Sequence, residues 1–340
     1  MITEFVAASE NPFEKAGEII RRGGLVVFPT ETVYGLGGNA LDKDAGVKIF
    51  QAKGRPGDNP LIVHIAHPED AEKFAETSEE YYKLAKAFMP GPLTVVLPKK
   101  DVVPDSVTGG LDTVAIRCPD HPVARKLIEA AGVPIAAPSA NLSGSPSPTT
   151  AEHVRCDLDG RVDMIIDGGQ SRIGVESTVV SLSGGVCTVL RPGEIIPREL
   201  HEVIGEVVVA EAVKVPSAVG DKPLSPGMKY KHYAPETPLV LVFGTDEEFV
   251  SYVNESDKKA AVLAYSENCG KIDRAYVIDI GAKADYSAQM HNIFRALRDV
   301  ESAEADVIYA PLPPDSEEYL ALYNRLIRAS GGEVVKIGNN

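Results

Sequence analysis

Two short strings hold the residue types best suited to chemistry: Lys53-Gly54-Arg55-Pro56 and Ser139-Ala140-Asn141. Each adjoins an apolar, strand-like run, residues 60–66 after the first and residues 134–138 before the second. The first string offers a point-charge ammonium and a planar guanidinium on a Gly/Pro-restricted loop, a combination that grips phosphate oxygens. The second offers a hydroxyl and an amide, which orient a polar ligand without adding charge. A nucleotide-handling pocket is the reading they suggest. The same cations would also suit the solvated C-terminus of a helix, where the dipole favours positive charge.

Further polar residues gather near strand ends. Thr30-Glu31-Thr32 directly follows the apolar run 24–29 and would serve a site or simply a turn capped by hydroxyls. His64 alternates with Leu61, Val63 and Ile65 in a strand, where a lone histidine is more often structural. Arg117 ends the run Thr113-Val114-Ala115-Ile116, which is built for burial. A buried guanidinium needs an anion, and either a ligand carboxylate or an acidic neighbour would do. Ser147 sits in the hydroxyl-rich loop 143–150, Ser177 at a strand entry, and Arg191 at a strand end. Residues 35–40, Gly-Leu-Gly-Gly-Asn-Ala, fit the dinucleotide fingerprint poorly, because polar residues separate strand from glycines. The phosphate-cradling pattern G-x-x-x-x-G-K-[ST] does not occur.

Elements must hold these groups in place. Short β-rich runs at 24–30, 61–65, 93–98, 113–118, 134–137, 164–167, 177–182 and 187–191 alternate with helical stretches at 42–52, 68–89, 121–131, 151–158 and 197–204. So many strands for so few helices predict a twisted, partly antiparallel sheet. Residues 206–236 lose all amphipathic periodicity and carry Pro216, Pro223, Pro226 and Pro235, as a linker or lid would. From 238 onward, strands at 238–244, 260–264, 276–280 and 307–310 and helices at 246–253, 286–300 and 317–330 predict a small domain with a largely parallel sheet.

The 340 residues suit two domains, and 44% hydrophobic with 24% charged residues is an ordinary soluble composition. A net charge of −15 argues against broad nucleic-acid binding, which needs a basic face. The four cysteines lie far apart, in neither a disulfide nor a zinc pattern, as expected of a reducing compartment. A cytoplasmic protein with no membrane segment is expected.

Taken in order, residues 29–36 (PTETVYGL), 53–56 (KGRP), 59–61 (NPL), 90–94 (PGPLT), 115–117 (AIR), 138–144 (PSANLSG), 176–179 (ESTV) and 190–193 (LRPG) resemble the YrdC-type L-threonylcarbamoyladenylate synthases over most of residues 10–205. The run 225–235 with the C-terminal unit resembles the longer, two-domain branch of that family. The resemblance implies an α/β protein: a YrdC-like catalytic domain over 1–207 with a twisted mixed sheet and flanking helices, a Pro-rich linker or lid over 208–237, and a smaller Rossmann-like domain over 238–340.

It also implies a reaction, in which L-threonine, bicarbonate or CO2, and ATP give threonylcarbamoyl-AMP and pyrophosphate for threonylcarbamoyladenosine modification of tRNAs reading ANN codons. Residue by residue, the resemblance makes Lys53 and Arg55 catalytic. It assigns ATP binding to Lys53, Arg55, Asn59, Thr113, Ser139, Asn141, Ser147, Arg191, Tyr230 and His232. Threonine binding falls to Thr32, His64, Arg117, Ala137 and Ser177, with Arg117 on the carboxylate. Mg2+ would enter with ATP, held mostly by phosphate and water, and no organic cofactor is expected. The downstream tRNA threonylcarbamoyl-transfer machinery is a candidate partner, with tRNA not held directly by this chain. An RNA-binding module of the same fold, or a carbamoyl-transfer protein, is the alternative.

Overall fold

The computed structural model describes residues 2–54, 59–213, 233–274 and 276–337. The chain divides into two compact units, the first Met1–Ser143 with Ser147–Lys229, the second Gly144–Pro146 with Tyr230–Asn340.

Among the described residues the first unit is built on one mixed sheet of eleven short strands: β1 (Glu4–Ala7), β2 (Val26–Phe28), β3 (Gly35–Asn39), β4 (Ile62–His64), β5 (Leu93–Pro98), β6 (Thr113–Arg117), β7 (Ile135–Ala137), β8 (Met164–Asp167), β9 (Thr178–Ser181), β10 (Cys187–Arg191) and β11 (Val207–Val209). Their order is β1-β8-β2-β3-β7-β4-β6-β5-β9-β10-β11. Valine and isoleucine dominate the central strands, whose residues are nearly all buried, as a sheet covered on both faces requires. One face packs Val27, Leu36, Val63, Val95 and Ile116 into the main core. The other face carries Val26, Phe28, Ile135 and Met164 against helices 13–21 and 122–131.

Strand β3 corrects the loose dinucleotide reading of residues 35–40. It is an interior strand, antiparallel to both β2 and β7, and not a phosphate loop. Its glycines serve close packing: a Cβ at Gly37 would fall 2.7 Å from an Ile135 methyl and 2.8 Å from the Phe28 ring.

The helix Ala45–Lys53 delivers Lys53 as its last residue, because Gly54 follows with φ 62°, a left-handed conformation that ends the helix. The helix Pro122–Ala131 opens with proline at its first position and a cap in which Val123 N–H donates to His121 Nδ1 at 3.2 Å.

The second unit holds a five-stranded, wholly parallel sheet: β12 (Leu239–Phe243), β13 (Ala260–Ala264), β14 (Tyr276–Asp279), β15 (Val307–Pro311) and β16 (Val334–Lys336), in the order β14-β13-β15-β12-β16. Strands β12 and β15 lie side by side, yet the chain leaves β12 toward β13 and leaves β15 toward β16, in opposite directions along the sheet. Thr245 starts the helix Asp246–Glu255 with a reciprocal capping box to Glu248.

Candidate active site

Lys53 is only 2% exposed, so it is not the solvated helix-end cation that its position also allowed. Its Nζ donates to the Ser139 carbonyl, to the Asn141 carbonyl at 2.7 Å and to Asn141 Oδ1 at 3.4 Å. Ser139 Oγ donates to the same Asn141 Oδ1 at 2.5 Å, and Asn141 Nδ2 donates to the Leu142 carbonyl at 2.7 Å. The segment bearing these groups continues β7 and is anchored by Leu36 N–H to the Pro138 carbonyl and Ala140 N–H to the Tyr34 carbonyl, both 2.9 Å. Neutral oxygens thus surround the buried amine and give it the partners that a buried polar group requires.

A second group lies along one row of the sheet. Register places His64 on β4 opposite Arg117 on β6, and Arg117 opposite Thr94 on β5. Arg117 Nη2 donates to Glu31 Oε1 at 2.6 Å, with the side chains 4% and 2% exposed. Of the two partners open to Arg117 at the sequence level, the structure therefore supplies the acidic neighbour. Arg117 Nε and Glu31 Oε2 are both buried without a hydrogen-bond partner. Such atoms are costly to leave unpaired, and they mark a place where a polar ligand would complete the pairing.

His64 is a neutral member of this row. Burial first, and then the Arg117 charge, push its pKa from 6.5 down to about 3. Its Nδ1 faces the carbonyls of Ile62 at 3.2 Å and Ile135 at 3.3 Å. Carbonyls only accept, so Nδ1 carries the proton and Nε2 is left as an acceptor. The Phe28 ring stands edge-on, 6.0 Å from the imidazole.

Beyond Thr94 the row continues through Ser177 and Arg191. Thr94 and Ser177 share a hydroxyl–hydroxyl bond of 2.8 Å, and Arg191 donates to Ser177 Oγ and to its carbonyl, each at 3.1 Å. Ser147, fully buried, donates to Glu176 Oε1 at 2.5 Å. Thr32 bonds the Thr30 hydroxyl at 2.8 Å inside a turn, and Ile173 N–H and Gly174 N–H pin that turn through the carbonyls of Glu31 and Thr32. The turn is therefore capped by hydroxyls, as the plainer reading expected, and it also delivers Glu31 to Arg117.

Strand β7 connects the two groups. Ile135 accepts from His64, and four residues on Ser139 accepts from Lys53. Ala137, 2% exposed, lies between them in register with Ile62. Asn59 is fully buried, and neither its Oδ1 nor its Nδ2 has a partner. Thr113 starts β6, on the same face as Arg117 but four residues away, outside the bonding described above. Arg55, Tyr230 and His232 lie outside the described residues. Glu31, Thr94 and Glu176 received no role from the sequence, although each sits inside a quoted motif. The need of a buried arginine for an acid was the available signal for Glu31.

Residues 18–193 match the family described as "Telomere recombination" (Sua5, YciO and YrdC), and residues 195–331 match "Threonylcarbamoyl-AMP synthase, C-terminal domain". The chain is 48% identical over 330 residues to the threonylcarbamoyl-AMP synthase of Pyrococcus abyssi, covering 95% of each chain. It is 45% identical over 340 residues to that of Bacillus subtilis, covering 98% of this chain and 97% of the other. The crystal structure of P. abyssi Sua5 complexed with L-threonine superposes with a TM-score of 0.90 at 46% identity, covering 99% of this chain and all of that one.

Proposed function

This chain belongs to the threonylcarbamoyl-AMP synthase family, and on that premise we propose how its buried polar row and its lysine cluster divide the work. The protein is a nucleotidyltransferase that makes threonylcarbamoyl-AMP, with ATP as a substrate, for tRNA modification.

The threonine carboxylate docks on Arg117, whose unpartnered Nε supplies a donor. Glu31 holds the guanidinium in place through Nη2, on the same edge as Nε. Neutral His64 offers an acceptor at Nε2, and Thr32, Ser177 and Ala137 line the remaining threonine contacts. The threonine amine, once deprotonated, adds to CO2 to give a carbamate. A carbamate oxygen then attacks the α-phosphorus of ATP, and the bond to the pyrophosphate oxygen breaks as the pair of electrons leaves with pyrophosphate. Such a step depends on positioning and on stabilising phosphate charge, with little covalent help from protein.

Lys53 and Arg55 supply that positive charge. Ser139 and Asn141 serve chiefly by fixing the Lys53 ammonium, which the three oxygens around it support. Asn59, Thr113, Ser147 and Arg191 extend the nucleotide side, together with Tyr230 and His232. ATP enters as its magnesium complex. We expect that ion to be held mostly by phosphate and water. Bicarbonate supplies the carbonyl carbon. The acidic chain leaves tRNA to the downstream transfer machinery, and we place the protein in the cytoplasm. Among the described residues no helix is long and apolar enough to cross a membrane.

The observation carrying this reading is the buried Arg117–Glu31 pair with one polar atom of each partner left open. Mass spectrometry after incubation with labelled threonine, bicarbonate and ATP tests it. Threonylcarbamoyl-AMP and pyrophosphate are expected only when all three are present, and pyrophosphate release indifferent to threonine would reject it.

A further inference from the structure

The second unit contains a cavity of about 550 Å³ that the synthesis reaction does not use. Its walls include Phe243 at the end of β12 with Gly244, Thr245 and Asp246 beyond it, and Pro311 at the end of β15 with residues 312–315 beyond it. These are the carboxyl ends of the two adjacent strands from which the chain departs in opposite directions. Open parallel sheets bind their ligands in the crevice at such a reversal. The volume falls within the usual range for small-molecule sites.

The chemistry of the walls narrows the ligand. A phosphate would seek the amides at the start of helix 246–255. There, Thr245 N–H already donates to Glu248 Oε2 at 2.8 Å, and Glu248 N–H donates to Thr245 Oγ1 at 3.3 Å. The first turn carries Asp246, Glu247 and Glu248, three negative charges that repel an anion. Gly244 opens no phosphate cradle either, since a Cβ there would fall 2.7 Å from the Ile337 side chain. Nucleotide phosphates are thereby disfavoured.

Opposite charges meet across the lining. Lys283 Nζ donates to Asp246 Oδ1 at 2.8 Å, with the two side chains 50% and 28% exposed, and the same ammonium lies 6.0 Å from the centre of the Tyr265 ring. Asp315 and Lys336 add one charge of each sign. An ion pair this exposed is weakly held and opens readily. Between the charges lie apolar walls, among them Phe249 and a Phe243 side chain that is 46% exposed.

We propose that this cavity binds a free α-amino acid with an apolar or aromatic side chain. Its carboxylate meets Lys283, its ammonium meets Asp246, and its side chain covers Phe243. Each charged bond replaces one half of the existing pair, so the ligand enters without leaving a charge unpaired.

The test is isothermal titration calorimetry of the full chain with L-phenylalanine, alongside 3-phenylpropionate, which lacks the ammonium, phenethylamine, which lacks the carboxylate, and AMP. One molecule of phenylalanine per chain is expected, with each half-molecule binding about tenfold weaker or worse. Lys283→Ala, Asp246→Asn and Phe243→Ala, all at exposed or half-exposed positions, should each weaken phenylalanine by about tenfold while threonine-dependent turnover without phenylalanine stays unchanged. No saturable heat with phenylalanine would overturn the proposal. So would unaltered binding in all three variants, which would locate the amino acid at the threonine site, or tighter binding of AMP lost in Lys283→Ala. None of these outcomes bears on the synthesis reaction, which is read separately from product formation.

Discussion

Glu31 and Arg117 meet at 2.6 Å in the interior of the first unit, each with one polar atom left without a partner. The pair is buried yet incomplete, and under the proposed function its open atoms await the threonine carboxylate. That combination sets apart the roles of fold and function in a way that substitutions can read.

Removing one member of a buried pair strands the other. Arg117→Ala should lower the unfolding free energy by about 3–5 kcal/mol. In whatever fraction folds, the threonine KM should rise more than the ATP KM. Denaturant unfolding and steady-state kinetics measure both, and equal rises in the two KM values would count against a carboxylate clamp. Glu31→Gln keeps a hydrogen-bonding oxygen and should show the same bias in milder form.

Asn59 separates ligand binding from stability in the opposite sense. Its amide is buried with no partner, so Asn59→Ala removes an unsatisfied group and should leave the ligand-free protein within about 1 kcal/mol of wild type, or more stable. ATP affinity should fall by about tenfold. A marked loss of stability with unchanged ATP affinity would show that Asn59 is a structural residue.

Lys53→Met keeps the length of the side chain but removes the ammonium from its ring of oxygens. Stability should fall by about 1–3 kcal/mol, as buried acceptors lose their donor, and pyrophosphate release should be abolished. Turnover at the wild-type rate in a folded variant would reject the charge-stabilising role.

Thr94→Val leaves Ser177 with Arg191 alone. The loss of the 2.8 Å hydroxyl bond should cost about 1–3 kcal/mol and raise the threonine KM, although Thr94 itself bears no assigned ligand contact. Thermal unfolding and a KM comparison decide the matter, and a kinetically silent substitution would remove Thr94 from the row.

Burial of His64 makes a pH prediction. Its pKa is about 3 when folded and 6.5 ordinarily, so between these values the unfolded chain binds more protons. The contribution to stability is complete above pH 6.5 and declines as pH falls toward 3, at up to about 1.4 kcal/mol per pH unit. His64→Gln should remove this component. Urea unfolding of both proteins at pH 7, 5.5 and 4.5 gives the slopes, and identical slopes would mean that the histidine is not buried in its neutral form.

Much of the architecture follows from local composition. Val, Ile and Leu in short runs marked twelve of the sixteen strands among the described residues and missed β1, β3, β11 and β16, β11 falling inside the stretch 206–236 that had lost its periodicity, while the ordered strings from 29 to 193 carried the family. Those signals are legible because propensity, turn chemistry and motif order are properties of neighbouring residues. Strand β3 escaped this reading, since glycine has no strand preference of its own. Gly37 belongs there only because Phe28 and Ile135, from other strands, leave no space for a Cβ.

The site's connections are of the second kind. Glu31 reaches Arg117 across 86 positions, and Lys53 reaches Asn141 across 88. A hydrogen bond requires its atoms within about 3 Å, and strand order and register set that distance. The residue types announced that cations, an amide and hydroxyls were at hand. Only the folded sheet decided that Glu31, and not solvent or ligand alone, would answer the charge of Arg117. It likewise decided that a lysine at a helix end would be buried among carbonyls, because burial and register exist only once distant strands are laid side by side.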